Sequence, residues 1–513
     1  MLLIPLLLLG QAAAGLSRPA SPYTISVSTL VLRSSGDPLA VAVTGPANGS
    51  HWLGMFLLGS NLTAIARYHD YCPPGGCAET TPPFTATAPI KYWGLSNGKN
   101  LSTFSVFTIN YRKPCFFAVF AGTELPRLVA TSQHATFSRL SCEPTGVHLA
   151  RTQTPGELRV TWQSGESNES SLRWRPAAGA VGGGGERAWQ VVRAESSTYA
   201  RDKLCGLPAN MSIGWHDPGW IHTATFRGGD IEYAVGSGNC SDGLGALWSE
   251  SRTVRAPPTP DAESVAVLFI GDMGEAPRDH PGSSHHWQMP QPTEVVDAMI
   301  AATSAQHYDA VWHVGDLAYA TGYGSIWDGY MKQIEPLASI MPYYTSPGNH
   351  ERDTPGTGAF QHGDDSGGEC GVPFNARFIQ PAGDKHSALP PSNSSDNVAS
   401  WYSDNIGPIH VIFASTEHDY HPGSAQHAWL LRDLRAVDRK VTPFLVFSGH
   451  RPMYSSTTVG ENAPHPYHVA GNASYNWQMG GVLEPLFEEY RVDLALWGHV
   501  HNCESPPLPQ SPP

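Results

Sequence analysis

Short apolar runs broken by polar turn residues fill the first half of the chain, and their rhythm changes once, at the linker APPTPD (256–261). From about Pro22 to Cys142, runs such as TISVSTLVL, WLGMFLLG, STFSVFTINY and CFFAVFAG are separated by Gly, Pro and Asn, which predicts short β-strands. A second set follows from Gly146 to Arg255: VHLART, ELRVTWQS, AWQVVRA, IHTATFRG and IEYAVGSG. Its alternation and turn spacing predict an antiparallel sandwich. GAVGGGGER (179–187) is a flexible loop and not a phosphate cradle, because no Lys-Ser/Thr follows it and it opens no helix. Past the linker, strands alternate with helices. VAVLFIGD, DAVWHVGD, PYYTSPGNH, TPFLVFSGH and DLALWGHVH read as strands, and WYSDNIGPIHVIFAS as a hairpin. TEVVDAMIAATSA, WDGYMKQIEPLASIM, AQHAWLLRDLRAVD and GVLEPLFEEY read as helices. This predicts an α/β layered domain, with a site at the carboxyl edge of an open sheet.

Composition refines that picture. With 513 residues the chain exceeds one core, and 52 Gly and 44 Pro favour turns over long helices. A net charge of −14 excludes a surface that collects nucleic acid. The opening MLLIPLLLLGQAAAG predicts a secretory leader over 1–14: Leu2–Leu9 is too short to span a bilayer, and Ala12-x-Ala14 offers a cleavage site. No later run is apolar enough to predict a membrane span. Sequons at Asn48, Asn61, Asn100, Asn168, Asn210, Asn239, Asn393 and Asn472 predict glycosylation. The even count of 8 Cys suits disulfides in an oxidising compartment, with Cys72 and Cys77 as a local pair. Secretion, or delivery to a vacuole or cell wall, follows. Oligomeric state is not legible.

Candidate chemistry gathers in the last half. GDMG (271–274), GDLAY (315–319), GNHE (348–351), SGH (448–450) and GHVH (498–501) each sit at the end of a strand-like run. Singly, a Gly-Asp after a strand is an ordinary turn. Together the clusters offer carboxylates, an amide oxygen, imidazoles and a phenol, the ligand set of a site for two metal ions. Such sites hydrolyse, and phosphate esters lead the substrates.

In these clusters the chain resembles the purple acid phosphatases of the metallophosphoesterase superfamily. Upstream, HWLGMF, APIKYWG, VHLA, RVTW and DPGWIHTA are similar to accessory domains of the long plant-type members. GNHERD, SGGECGVPF and TEHDY resemble the subgroup linked with phosphodiester and nucleotide pyrophosphate hydrolysis. The resemblance implies an N-terminal β-rich domain over 22–142, a fibronectin-III-like β-sandwich over 146–255, a metallophosphoesterase domain over 262–504 and a Pro-rich tail over 505–513. It implies Fe(III) held by Asp272, Asp316, Tyr319 and His501. A divalent ion, Zn or Mn, would be held by Asp316, Asn349, His450 and His499, with Asp316 shared. Two aspartates, a tyrosinate and a bridging hydroxide leave such a cluster one net positive charge, so small phosphorylated substrates can approach an acidic protein. A metal-activated hydroxide would attack phosphorus, and His350 would bind the phosphoryl group or protonate the leaving group.

Three departures stand out. Where family members carry a His pair beyond the His450 ligand, this chain has Thr458-Val459-Gly460, with His465 and His468 further on. The valine usual three residues before His450 is Phe447. After His501 the text becomes Asn502-Cys503-Glu504 and SPPLPQSPP, which cannot form a strand interior. Frayed ligands there would lower metal retention, so a catalytically impaired glycoprotein with a binding or structural role is the second reading. A serine/threonine phosphatase is disfavoured, since its usual His two places after the first Asp is here Gly274, and Tyr319 supplies the missing ligand.

Overall fold

The computed structural model describes residues 21–46, 49–62, 87–96, 98–122, 126–167, 169–179, 188–279, 292–353, 363, 365–381, 400–454 and 477–501. The leader, the Cys72/Cys77 pair, Asn48, Asn168, Asn393, Asn472, His465, His468, Cys503 and the Pro-rich tail lie outside them. No helix of the described residues is long and apolar enough to cross a membrane.

The molecule is mostly sheet in its N-terminal part. Thr24–Val27, Pro38–Thr44 and Leu101–Phe107 form one antiparallel sheet. Lys91–Gly94, His51–Leu57, Cys115–Ala121 and Arg127–Thr131 form a second. Strict alternation in PLAVAVT turns Leu39, Val41 and Val43 inward, against Leu53, Met55, Phe117 and Val119 of the other sheet. His51–Leu57 is buried on both faces, and its outer face carries Trp52 stacked on Phe120 at 4.4 Å. Cys115 is a buried free thiol.

Two further antiparallel sheets follow. Thr145–Arg151, Glu157–Ser164, Trp220–Arg227 and Glu195–Ser197 face Gln190–Arg193, Ser170–Pro176, Ile231–Ser237, Leu247–Trp248 and Arg252–Val254. Val147, Leu149, Val160 and Trp162 from one meet Leu172, Tyr233 and Val235 from the other. A disulfide joins Cys142 to Cys240, and a second, Cys205–Cys370, ties this sandwich to the C-terminal domain. Tyr233 donates to the Ser339 carbonyl, Arg112 pairs with Asp328, and buried Arg377 lies over both Tyr199 and Trp327.

The C-terminal domain is α/β layered, as expected, and is built around two sheets. Val267–Ile270, Ala310–Val314 and Tyr343–Ser346 form a parallel sheet. Ile409–Phe413, Phe444–Ser448 and Leu494–Leu496 form a second, with Tyr402–Ile406 antiparallel at its edge. The sheets pack face to face through Trp312 and Tyr344 against Tyr402, Val411 and Phe413, with Tyr344 and Phe413 stacked at 5.4 Å. Helices Pro292–Ala305 and Gly324–Ala338 cover the first sheet, and Ala425–Ala436 and Trp477–Tyr490 the second. The physical reason lies in Ala310–Val314, buried at every position: Trp312 faces the other sheet while Val311 faces the helices.

Candidate metal centre

The polar clusters occupy the loops that leave both sheets at the same end. Asp272 follows Val267–Ile270, Asp316 and Tyr319 follow Ala310–Val314, and Asn349 follows Tyr343–Ser346. From the other sheet, His450 follows Phe444–Ser448, while His499 and His501 follow Leu494–Leu496. Asp272, Asp316, Tyr319 and His499 all have left-handed backbone, with φ of 56°, 52°, 51° and 69°. Such residues cost conformational energy and persist where the surroundings fix them. The preceding glycines permit the crowding: a Cβ on Gly348 would overlap the Asp316 carboxylate, and one on Gly315 would overlap the His450 ring.

The seven candidate ligands converge. His450 Nε2 lies 3.2 Å from Asp316 Oδ2, 2.9 Å from Asn349 Oδ1 and 3.2 Å from His499 Nδ1. Tyr319 Oη lies 3.1 Å from Asp316 Oδ2, 3.3 Å from Asp272 Oδ1 and 3.0 Å from His501 Nε2, which is itself 3.3 Å from Asp272 Oδ1. Asp316 therefore touches both groups. The structure brings every predicted ligand to one place and scatters none.

The donor set fits cations. His450 Nδ1 donates to the Val314 carbonyl at 2.9 Å, so neutral Nε2 carries a lone pair. Asn349 is oriented by its Nδ2 donating to Asp365 Oδ2 at 3.1 Å, which turns its Oδ1 inward. Asp316, Asn349 and, in its neutral form, His450 thus turn lone pairs toward one place, where a proton on His450 Nε2 stands in when no cation does. Asp316, His450 and His499 present ligand atoms all within 4.8 Å. Electrostatics agree. Burial opposes charge on His450, yet the carboxylates of Asp316 and Asp272 outweigh it and carry the imidazole up to about 10. Burial, then Asp316 and Asp272, drive the Tyr319 phenol far above its ordinary range. The two carboxylates thus favour positive charge at His450, and the Tyr319 phenol keeps its proton unless a cation lies beside it.

His350 lies beside these groups. Its ring is 4.2 Å from that of Tyr319, its Nδ1 donates to the Asp365 carbonyl at 3.1 Å, and its Nε2 is 4.0 Å from Asp316 Oδ2. Sequence reasoning missed the support around the ligands. Glu351, fully buried, accepts the N–H groups of Asp316 at 2.8 Å, Leu317 at 2.8 Å and Gly348 at 2.9 Å. Burial and the Asp316 charge push its carboxyl up to about 8, against the pull of those donors. Asp365 aligns Asn349 and His350. Arg451 joins Glu417 and Asp353, both fully buried, beside His499. The available signal was charge inside strand-edge segments, GNHERD and TEHDY. Among the sequons, Asn100 and Asn239 are exposed, and Asn61 and Asn210 half-buried.

Comparison with known proteins follows the same lines. The calcineurin-like phosphoesterase family profile matches residues 265–503. "Probable inactive purple acid phosphatase 27" of Arabidopsis thaliana is 34% identical over 498 residues, 94% of this chain and 75% of that protein. A nucleotide pyrophosphatase/phosphodiesterase of Hordeum vulgare is 37% identical over 286 residues, 55% of this chain and 71% of that protein. The purple acid phosphatase from yellow lupin (Lupinus luteus) seeds superposes with a TM-score of 0.80 at 32% identity, covering 94% of this chain and 81% of that one.

Proposed function

The chain belongs to the purple acid phosphatases, within the calcineurin-like phosphoesterases, and from that premise we propose that it is a secreted acid phosphatase working at a binuclear metal centre. Phosphate monoesters are its proposed substrates, with diesters or nucleotide pyrophosphates as a second class, the activity named for the barley relative. The observation that carries this reading is Asp316, whose carboxylate is within 3.2 Å of both Tyr319 Oη and His450 Nε2 and so joins two ligand groups. We assign Fe(III) to Asp272, Asp316, Tyr319 and His501, and Zn or Mn to Asp316, Asn349, His450 and His499. When bound, the ions supply Lewis acidity to the phosphoryl oxygens and a water acidic enough to act as nucleophile.

The chain's own residues supply the rest. Asp365 holds the Asn349 amide oxygen inward, and Glu351 fixes the loop that aims Asp316. His350 keeps its proton on Nδ1, bound to the Asp365 carbonyl, so Nε2 faces the centre and can take up a proton for the phosphoryl group or leaving oxygen. The two described disulfides and the exposed sequons Asn100 and Asn239 favour an oxidising, extracellular setting.

Purified protein tests this directly. About two metal equivalents, a visible phenolate-to-iron band and tartrate-insensitive hydrolysis of para-nitrophenyl phosphate at acid pH are expected. A catalytically impaired glycoprotein is the second reading. It is favoured by the names of the Arabidopsis relatives and by His501, whose side chain is 46% exposed. Metal-poor, colourless and inactive protein would establish it.

A further inference from the structure

The two accessory domains and the C-terminal domain meet around a cavity of about 180 Å³. The turn after His51–Leu57 supplies Ser60, the segment before Trp220–Arg227 supplies Ser212 and Trp215, and helix Gly324–Ala338 supplies Ser325. None of the seven candidate metal ligands lines it. Part of its wall is apolar, from Leu57, Ile90, Ile213 and Trp215. The cavity stands at the head of the helix that the Tyr319 loop enters, so an occupant would touch all three units.

Positive charge gathers on the rest of the lining. Lys113 and Arg201 are both exposed there, and Lys113 has no ion pair among the described residues. Arg201 Nη1 donates to Ser212 Oγ at 3.4 Å, which leaves its other N–H groups open. Among the described residues Asp217 is the one acidic group in the lining, and its Oδ1 already accepts the Gly219 N–H at 2.9 Å. The helix adds its positive end. It is 15 residues long, and Tyr323 at its N-cap makes no side-chain cap. The Gly324 N–H donates to the Gly214 carbonyl at 2.9 Å, and the Ile326 N–H to the Tyr323 carbonyl at 3.0 Å. Ser325 between them is 9% exposed, and neither its N–H nor its hydroxyl has a hydrogen-bond partner among the described residues. Buried donors of this kind ordinarily have an acceptor, and at a helix N-terminus an anion supplies it.

Size decides which anion. A cavity of about 150 Å³ accepts a benzene ring, so this one has room for more than an inorganic phosphate, which would also leave the apolar wall uncovered. We propose that the cavity is a second anion site, separate from the metal centre, that takes a small organic phosphate. Its phosphate group meets Lys113, Arg201 and Ser325, and its carbon skeleton packs on Ile213 and Trp215. The proposal goes beyond the phosphatase reading and does not rest on it.

Calorimetric titration with phenylphosphonate tests this, because that probe carries a ring and has no ester bond to hydrolyse. Wild type is compared with the double variant Lys113→Ala, Arg201→Ala and with Ser325→Ala, each before and after chelation of metal. Both cations are exposed, so the double variant keeps the packing of the native fold. A phenylphosphonate site that survives chelation is expected in wild type, at least about tenfold tighter than for inorganic phosphate or benzoate. The double variant should weaken it at least about tenfold, and Ser325→Ala about threefold. Hydrolysis of para-nitrophenyl phosphate should be unchanged in the double variant. Equal phenylphosphonate binding by wild type and the double variant overturns the proposal, as does folded, chelated wild type that binds none. Inorganic phosphate binding as tightly overturns the organic class, and benzoate binding as tightly overturns the phosphate group. A further site that chelation abolishes belongs to the metal centre, and its absence overturns the binuclear reading alone.

Discussion

The sheet of Val267–Ile270, Ala310–Val314 and Tyr343–Ser346 delivers Asp272, Asp316, Tyr319 and Asn349; its partner sheet delivers His450, His499 and His501. Oxygen ligands come from one side and nitrogen ligands from the other. The oxygen side is braced. Asp316, Tyr319 and Asn349 are 1–4% exposed, and Glu351 binds the backbone of the Asp316 loop. The adjoining helix Gly324–Ala338 is anchored to the accessory domains through Asp328 and Glu335, which pair with Arg112 and Arg252. The nitrogen side is slighter. Its edge strand Leu494–Leu496 is three residues long, Phe444 and Leu494 are 54% and 49% exposed, and His501 is half exposed. Each proposed ion draws ligands from both sheets, so bound metal would also clamp the lighter sheet to the braced one.

The strongest way to break this contrast is Asp316→Asn. Removing the shared carboxylate should release both ions and reduce hydrolysis by at least about 10³-fold, since loss of a single preorganised electrostatic contact already costs about 10²–10³. Elemental analysis checks it, and a variant that loses one ion only would remove Asp316 from its joint role. Glu351→Ala attacks the brace instead of the ligands. Three buried N–H groups lose their acceptor, so a destabilisation of about 3–5 kcal/mol is expected in urea titrations. An effect below about 1 kcal/mol would mean that the oxygen side is held by its packing alone.

The strand-and-helix order of the C-terminal domain was legible in the sequence, because buried strands such as AVWHV are short apolar runs closed by a Gly-Asp turn and helices such as AQHAWLLRDLRA carry a 3.6-residue period. The face-to-face pairing of two sheets was not. A strand buried on both faces looks the same whether helices or a second sheet cover it. The seven ligand candidates were legible as strand-end clusters, and the family resemblance assigned them roles. Glu351, Asp365 and Arg451 escaped because their roles are three-dimensional. Glu351 reaches backbone 34 and 35 residues away, and Arg451 unites Glu417 with Asp353 across 98 residues of chain. No local spacing announces such contacts.

Proton linkage offers a third comparison, again weighted to the braced side. Burial, only partly opposed by Lys91, raises Glu275 from 4.5 to about 7. Burial likewise raises Glu369 from 4.5 to about 7, against donors from Trp327 and Gly322. A folded pKa above the unfolded one means that the contribution is whole below about 4.5 and is lost as pH rises through about 7. At 1.36 kcal/mol per unit, each group accounts for at most about 3 kcal/mol. Asp328 has the opposite sign. Burial works against its charge, but Arg112 and His216 hold it well below 3.8, so its contribution is lost only as pH falls below that value. Buried imidazoles such as His313 and His222, held down to about 3 and about 4, carry the opposite sign, so the test isolates one carboxyl: Glu275→Gln should gain stability relative to wild type on going from pH 5 to pH 8. Calorimetric melting of both proteins at the two pH values decides it; a gap between them that does not shift toward the variant at pH 8 would contradict the assignment.

The smallest effect probes the lighter side alone. Ser424 caps the helix Ala425–Ala436, its Oγ accepting the His427 N–H at 3.1 Å. That helix covers the second sheet through Trp429, Leu430 and Leu434, and its Gln426 binds both backbone groups of Ser415 at 2.8 Å. Ser424→Ala leaves one helix-end donor to water and should cost about 1 kcal/mol. If the nitrogen side is supported only locally, that loss should appear in denaturant midpoints while divalent-ion content stays unchanged, because the cap lies far along the chain from His450 and His499. Loss of the ion together with stability would show that the covering helix and the histidine loops move as one body, and the two sheets would then be braced alike.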